Sequence, residues 1–123
     1  MSTVTRFDPP TGDEAVSLER LSAVVDAFRL IDPKMPTSYV SAYLAVARKP
    51  GLGPTQYAKM CGTIQPIMSR ILLDMGSYSR DKSGPGLELV DRVVDDVSLR
   101  NQRYYLTSKG RQLKSQIMRY LSD

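Results

Sequence analysis

The chain has 123 residues, 41% of them hydrophobic, and a formal net charge of +4. This composition predicts one folded domain with a modest core, and excludes a disordered chain. Apolar runs are much shorter than the ~20 residues of a membrane span, and the start of the chain has no signal-peptide pattern, so we expect a cytoplasmic protein. With one cysteine and no histidine, an internal disulfide, a zinc site and a Ser-His or Cys-His hydrolase are excluded, and we expect no cofactor.

The charge is distributed unevenly along the chain. Residues 1–47 carry four basic and six acidic side chains, whereas residues 48–123 carry thirteen basic and seven acidic ones. A positive field of this kind favours nucleic-acid binding, because phosphate charge supplies most of the sequence-independent affinity. A basic surface that only keeps the protein in solution is the alternative.

The first part of the chain predicts an arm followed by a helix. Residues 1–10 have few apolar side chains and predict a flexible arm. Thr11 and Glu14 have the spacing of a capping box, so a helix begins there and ends near Asp32, before Pro33. Its apolar stripe is wider than a small domain buries alone, which favours partial contact with a second subunit over an ordinary core helix. The stripe contains Leu18, Leu21, Val24, Val25, Phe28 and Ile31.

Three further helices are predicted before residue 79. The second covers 37–49, the third starts at Pro54 and is closed by Gly62 in a left-handed conformation, and the fourth occupies 63–78. The apolar residues of the fourth helix recur at helical spacing and predict one buried stripe: Ile64, Ile67, Met68, Ile71, Leu72 and Met75. The opposite arc suits a DNA major groove and carries Gln65, Pro66, Ser69 and Arg70. Two helices joined by a glycine turn form a helix-turn-helix.

A β-hairpin and a final helix complete the predicted fold. Residues 86–95 and 103–107 predict two strands, joined by a polar turn that contains Arg100. Such a hairpin, or wing, can insert an arginine into a neighbouring minor groove. The last helix covers 108–121. The fold class is therefore mainly α with a small β-hairpin (α+β), a winged helix-turn-helix.

Four segments together resemble one family. Residues 62–70, with the sequence Gly-Thr-Ile-Gln-Pro-Ile-Met-Ser-Arg, resemble the recognition helix of MarR-type winged-helix transcription regulators. Residues 87–92 and 100–103 resemble the wing of that family, and Tyr105-Leu106-Thr107-Ser108-Lys109-Gly110-Arg111 resembles the start of its last helix. The resemblance implies a regulator, usually a repressor, that binds a pseudo-palindromic operator in double-stranded DNA as a homodimer.

The resemblance also implies a domain plan and site residues. Residues 11–123 form one domain, in which 11–32 and 108–122 are dimerisation helices and 37–107 form the DNA-binding core. The major-groove residues would be Gln65, Pro66, Ser69 and Arg70. The wing residues in the minor groove would be Arg100 and Arg103, and the DNA-backbone contacts Thr55, Thr63, Arg80 and Lys82. The dimer interface would contain Leu18, Leu21, Val25, Phe28, Leu113, Ile117 and Leu121.

The sequence leaves several points open. Ile64 stands where the family often has Ser or Thr, so either Thr63 caps the fourth helix or the cap is absent. The 76–86 connection is longer than usual and is either a flexible loop or a phosphate contact through Arg80 and Lys82. Cys61 is interpreted as a core residue rather than an oxidation sensor.

Whether a small molecule controls DNA binding is a further open question. Its pocket would be lined by Met35, Phe28, Tyr39 and Tyr43. We favour core packing for these side chains, because no charged residue converges on them in the sequence.

The rival functional class is a winged-helix module that docks on RNA polymerase or another regulator. An enzyme is not expected, because the sequence has no nucleophile-base pair, phosphate loop or metal cluster.

Overall fold

The computed structural model describes residues 9–77, 86–94 and 102–122. These residues form five α-helices and one antiparallel pair of strands, which confirms the predicted fold class. The elements are α1 (Gly12–Ile31), α2 (Thr37–Arg48), α3 (Pro54–Met60), α4 (Gln65–Asp74), β1 (Val90–Val94), β2 (Gln102–Leu106) and α5 (Ser108–Leu121). No helix among the described residues is long and apolar enough to cross a membrane.

Two threonines start the terminal helices. The predicted capping box of α1 is present: the Thr11 hydroxyl accepts from the Glu14 N–H at 3.2 Å, and the Glu14 carboxylate accepts from the Thr11 N–H at 2.9 Å. In α5 the Thr107 hydroxyl accepts from the Gly110 N–H at 3.0 Å. Thr107 is therefore a helix cap, and not the last residue of a strand as the sequence predicted.

The core is held by two tyrosines of α2 and α3 as well as by aliphatic packing. Tyr43 meets the ring of Phe28 edge-to-face, with centroids 5.5 Å apart, and its hydroxyl donates to the Gly110 carbonyl at 2.7 Å. The Tyr57 hydroxyl donates to the Lys49 carbonyl at 2.6 Å. Burial raises the pKa of both phenols. Phe28 and Tyr43 thus pack the core, the interpretation favoured from the sequence.

The segment 86–89 fastens the end of α4 to the hairpin. The Leu87 N–H donates to the Asp74 carbonyl at 3.0 Å, and the Leu89 N–H donates to the Met75 carbonyl at 2.9 Å. These bonds satisfy carbonyls that the end of a helix leaves open. For this reason α4 ends at Asp74 and not at residue 78, and β1 starts at Val90 and not at residue 86.

The start of α5 is pressed against the same segment. The Thr107 N–H donates to the Leu89 carbonyl at 3.1 Å, and the Thr107 hydroxyl donates to the Glu88 carbonyl. Glu88 has a φ of 59°, in the left-handed region that few non-glycine residues adopt, and this conformation bends the chain towards β1. A Cβ atom on Gly110 would lie 2.1 Å from the Leu89 carbonyl oxygen. Only glycine fits at position 110.

The hairpin has a regular register and a third contact that the sequence did not predict. Val90 lies opposite Leu106, and Val94 lies opposite Gln102. Leu52, between α2 and α3, forms a β-bridge with Tyr104 on the other edge of β2. The bridge attaches the hairpin to the helix-turn-helix.

We predict that Gly110→Ala lowers the free energy of unfolding by about 2–3 kcal/mol, since the new methyl group overlaps the Leu89 carbonyl and backbone has to move. Urea denaturation followed by circular dichroism measures the change. Gly12→Ala is the matched control, because a Cβ atom added there would have no atom within 4 Å and alanine favours the helix. Equal stability of the Gly110→Ala variant and the wild type would contradict the packing described above.

Candidate nucleic-acid interface

The turn between α3 and α4 is fixed by backbone hydrogen bonds. The Cys61 N–H donates to the Tyr57 carbonyl at 3.0 Å, and the Thr63 N–H donates to the Ala58 carbonyl at 2.9 Å. Gly62 between them has a φ of 70°, which confirms the predicted left-handed residue. The turn therefore sets the direction in which α4 leaves α3.

One face of α4 is buried, but it is narrower than the sequence predicted. Met68, Ile71 and Leu72 are buried, and so is Met75 directly after the helix. Ile64 and Ile67 are 61% and 45% exposed, so their assignment to the buried stripe is wrong. Ile64 precedes the helix in an extended conformation. Ile67 lies about a quarter turn from the centre of the buried face, at 100° per residue.

The exposed arc of α4 consists of Gln65, Pro66, Ile67, Ser69 and Arg70. Gln65, Pro66 and Arg70 are exposed, and Ser69 is half-buried. The Gln65 amide nitrogen donates to the Ser69 hydroxyl at 2.8 Å, which restricts the glutamine side chain. The four residues predicted to enter a major groove thus lie together on the surface.

The Arg70 guanidinium forms no ion pair with any residue that the structure describes. Asp74, its alternative partner one turn along, accepts a hydrogen bond from the Tyr39 hydroxyl at 2.5 Å. Asp74 therefore links α4 to α2, and the cation of Arg70 projects from the exposed arc.

The N-terminus of α4 has no side-chain cap. Ile64 occupies the cap position, and no side chain bonds to the first turn. Of the two options left open by the sequence, Thr63 as the cap or no cap, the structure has the second. Pro66 lacks an N–H, so the Ile67 N–H is the donor that a capping hydroxyl at position 64 would meet.

The remaining predicted DNA contacts fall into two groups. Thr55 and Arg103 line one polar recess of about 430 Å³, together with Gly51–Pro54, Gln56 and Gln102. Arg103 is exposed on β2, and Thr63 is half-buried in the turn. Arg80, Lys82 and Arg100 lie outside the described residues.

The predicted dimer residues divide into exposed and buried side chains. Leu18, Leu21, Val25 and Leu121 are between 48% and 57% exposed. Phe28, Leu113 and Ile117 are at most 4% exposed within a single chain. These three side chains pack the core of the single chain, and their place in a dimer interface stays a prediction.

Cys61 is half-buried beside the turn. Burial raises the pKa of its thiol, although nearby Arg48 opposes the shift. A thiol with a raised pKa forms little thiolate, which fits a structural cysteine better than an oxidation sensor. No cluster of three or more potential metal ligands occurs among the described residues.

Two features of the site were missed in the sequence. Gln65 and Ser69 are four residues apart, a spacing that brings side chains together on a helix and could have indicated their hydrogen bond. The Tyr39–Asp74 contact joins residues 35 positions apart, and no local pattern signals it.

Known structures share this architecture, whereas no protein-family model and no curated protein matches the sequence. The MepR–DNA complex from S. aureus is 18% identical in sequence to this chain. The aligned region covers 86% of this chain and 78% of the MepR chain, with a TM-score of 0.66. A MarR-family regulator from Silicibacter pomeroyi is 22% identical, and the aligned region covers 86% of this chain and 64% of the regulator, with a TM-score of 0.54. PcaV from Streptomyces coelicolor, in complex with its natural ligand, is 18% identical. The aligned region covers 98% of this chain and 78% of PcaV, with a TM-score of 0.53.

The chain has the winged-helix fold of MarR-family regulators. In the MarR-type fold, α3 and α4 are the helix-turn-helix and β1 and β2 are the wing.

We predict that Ile64→Ser raises the free energy of unfolding by about 0.5–1 kcal/mol, since serine at this extended cap position can accept from the Ile67 N–H. Ile64 is mostly exposed, so the loss of apolar packing is small. Urea denaturation measures the gain. Ile64→Ala, which shortens the side chain without offering an acceptor, is the control. The capping argument fails if the serine and alanine variants are equally stable.

Proposed function

We propose that the protein is a sequence-specific double-stranded DNA-binding transcription regulator, and not an enzyme. It acts as a homodimer on a pseudo-palindromic operator, as a repressor. The observation that carries the proposal is the exposed arc of α4, which follows a fixed helix-turn-helix turn and presents Gln65, Pro66 and Arg70 to solvent. In this motif the second helix enters the major groove and its N-terminal residues contact base edges.

The charge of the surrounding surface supports the proposal. Lys59 on α3, Arg70 on α4, and Arg92 and Arg103 on the wing are all exposed. Arg70 can donate two hydrogen bonds to guanine, exposed Lys59 can contact a phosphate, and Arg103 stays a proposed minor-groove residue of the wing. Arg100 at the wing tip stays a proposed minor-groove residue, and Thr55, Thr63, Arg80 and Lys82 stay proposed backbone contacts. The MepR structure, which contains DNA, has the same fold.

An exposed apolar stripe on α1 supports the homodimer. Leu18, Leu21 and Val25 recur at intervals of three and four residues, and each is about half exposed. This α1 stripe is next to the face that packs on α5 in the same chain. Leu121 adds a further exposed apolar side chain on α5. A second copy of the chain would bury these residues by placing its own stripe against them.

The alternative, a module that docks on another protein, has one observation in its favour. Val93, Val94 and Tyr105 on the wing are between 40% and 58% exposed. Salt dependence separates the two functions: a DNA-binding protein loses affinity for random duplex steeply as salt increases. A protein-docking module would bind such duplex weakly at every salt concentration.

We do not extend the proposal to a small-molecule effector. PcaV binds a natural ligand, but in this chain Phe28 and Tyr43 fill the core and Tyr43 is bonded to Gly110.

We expect Arg70→Ala to weaken binding to an operator selected from randomised duplex DNA by about 1–3 kcal/mol per half-site, the value of a bidentate arginine–guanine contact. Binding to random duplex should fall much less. Fluorescence anisotropy at fixed salt measures both affinities. Arg29→Ala is the matched control, because Arg29 is an exposed cation on α1 paired with Asp26. Equal losses on operator and random duplex would assign Arg70 to phosphate and contradict a base contact.

Leu21→Glu should convert the dimer into a monomer at micromolar concentration, because it places a charge in the middle of the α1 stripe. Sedimentation velocity measures the mass. Val93→Glu is the matched control, since Val93 has nearly the same exposure as Leu21, 58% against 57%, and lies on the wing. A Leu21→Glu variant that remains dimeric would place the interface elsewhere.

A further inference from the structure

Two isoleucines at the start of α4 are left on the surface. Ile64 and Ile67, the isoleucine pair, are 61% and 45% exposed, whereas Met68, Ile71 and Leu72 of the same helix are at most 6% exposed. About half of the surface of the isoleucine pair therefore takes no part in core packing. Ile67 lies at the edge of the exposed arc that adjoins the buried face, and an exposed apolar side chain in this position can contact an apolar group of a partner.

The isoleucine pair lies where a recognition helix meets base edges. Ile64 is the residue before α4, and Ile67 is its third residue. Ile67 and Arg70 are three residues apart, which places them about 60° from each other around the helix axis. A helix inserted far enough for Arg70 to reach a base therefore brings Ile67 against a neighbouring base pair.

Only one of the four bases presents an apolar group in the major groove. Thymine carries a C5 methyl group there, and the other bases present hydrogen-bond donors and acceptors. We propose that the isoleucine pair packs against the C5 methyl group of a thymine in each operator half-site and makes that position specific for thymine. This inference rests on the proposed function and names the base that the site reads.

Gln65, on the other side of the exposed arc from Ile67, favours adenine. One N–H of its amide is bound to the Ser69 hydroxyl at 2.8 Å, so the amide is held in one orientation. The other N–H and the carbonyl oxygen match the N7 acceptor and N6 donor of adenine. Gln65 and Ile67 are about 160° apart around the helix axis, so they would read different base pairs, with adenine at one position and thymine at another.

Replacement of thymine by deoxyuridine tests the proposal, because it removes the methyl group and leaves the base pairing intact. An operator is first selected from a randomised duplex with wild-type protein, and each of its thymines is then replaced by deoxyuridine in turn. Anisotropy titrations compare the wild type with Ile67→Ala and Ile64→Ala. Leu30→Ala is the matched control, because Leu30 is an aliphatic residue on α1 that is 83% exposed.

At one thymine in each half-site, deoxyuridine should weaken wild-type binding about three- to fivefold, the effect of losing one buried methyl contact. At that position the Ile67→Ala variant should bind thymine and deoxyuridine operators equally, and the Ile64→Ala variant should show a reduced difference. The Leu30→Ala variant should keep the wild-type difference. Circular dichroism confirms that each variant is folded.

Two results would overturn the inference and leave the proposed function intact. One is an operator that binds tightly but tolerates deoxyuridine at every thymine. The other is an Ile67→Ala variant that still discriminates as the wild type does. Absence of binding to any duplex at low ionic strength would overturn both the inference and the proposed function.

Discussion

The position of the wing depends on a few backbone hydrogen bonds between residues 86–89 and the end of α4. A recognition helix and a wing can act on adjacent grooves only if their relative position is fixed. Here the Leu87 and Leu89 N–H groups bond directly to the Asp74 and Met75 carbonyls. These bonds hold the hairpin to α4, and they satisfy carbonyls that a helix end would otherwise leave open.

The same segment links the helix-turn-helix and the wing to the terminal helices. Gly110 lets the first turn of α5 approach the Leu89 carbonyl, and Tyr43 of α2 donates to the Gly110 carbonyl. α5 in turn packs against α1, which carries the exposed α1 stripe. A continuous set of contacts therefore runs from the proposed dimer surface to the exposed arc of α4. In a dimer, these contacts would set the distance between the two exposed arcs.

Local signals in the sequence predicted most of the fold. The Thr11–Glu14 spacing located the start of α1, and Gly62 located the turn, because each of these depends on residues within a few positions. The limits of α4 and β1 were wrong because they depend on hydrogen bonds between Asp74–Gly76 and residues 87–89. Periodicity alone cannot reveal such pairings.

The site was predicted less completely than the fold. The period of α4 correctly put Gln65, Pro66 and Arg70 on the surface, but it could not show that the helix begins at Gln65 and leaves Ile64 outside it. In the terminal helices, the apolar pattern could not separate residues that face their own core, such as Phe28, from those left exposed, such as Leu21. That distinction depends on how α1 and α5 pack, which no single helix encodes.

The division of α4 into two faces has a consequence for how such a protein can change over generations. Met68, Ile71 and Leu72 carry the packing, while Gln65, Pro66 and Arg70 take little part in it. Replacing side chains on the outer face should cost little folding stability, so the proposed DNA target can change by point mutation while the scaffold is inherited unchanged.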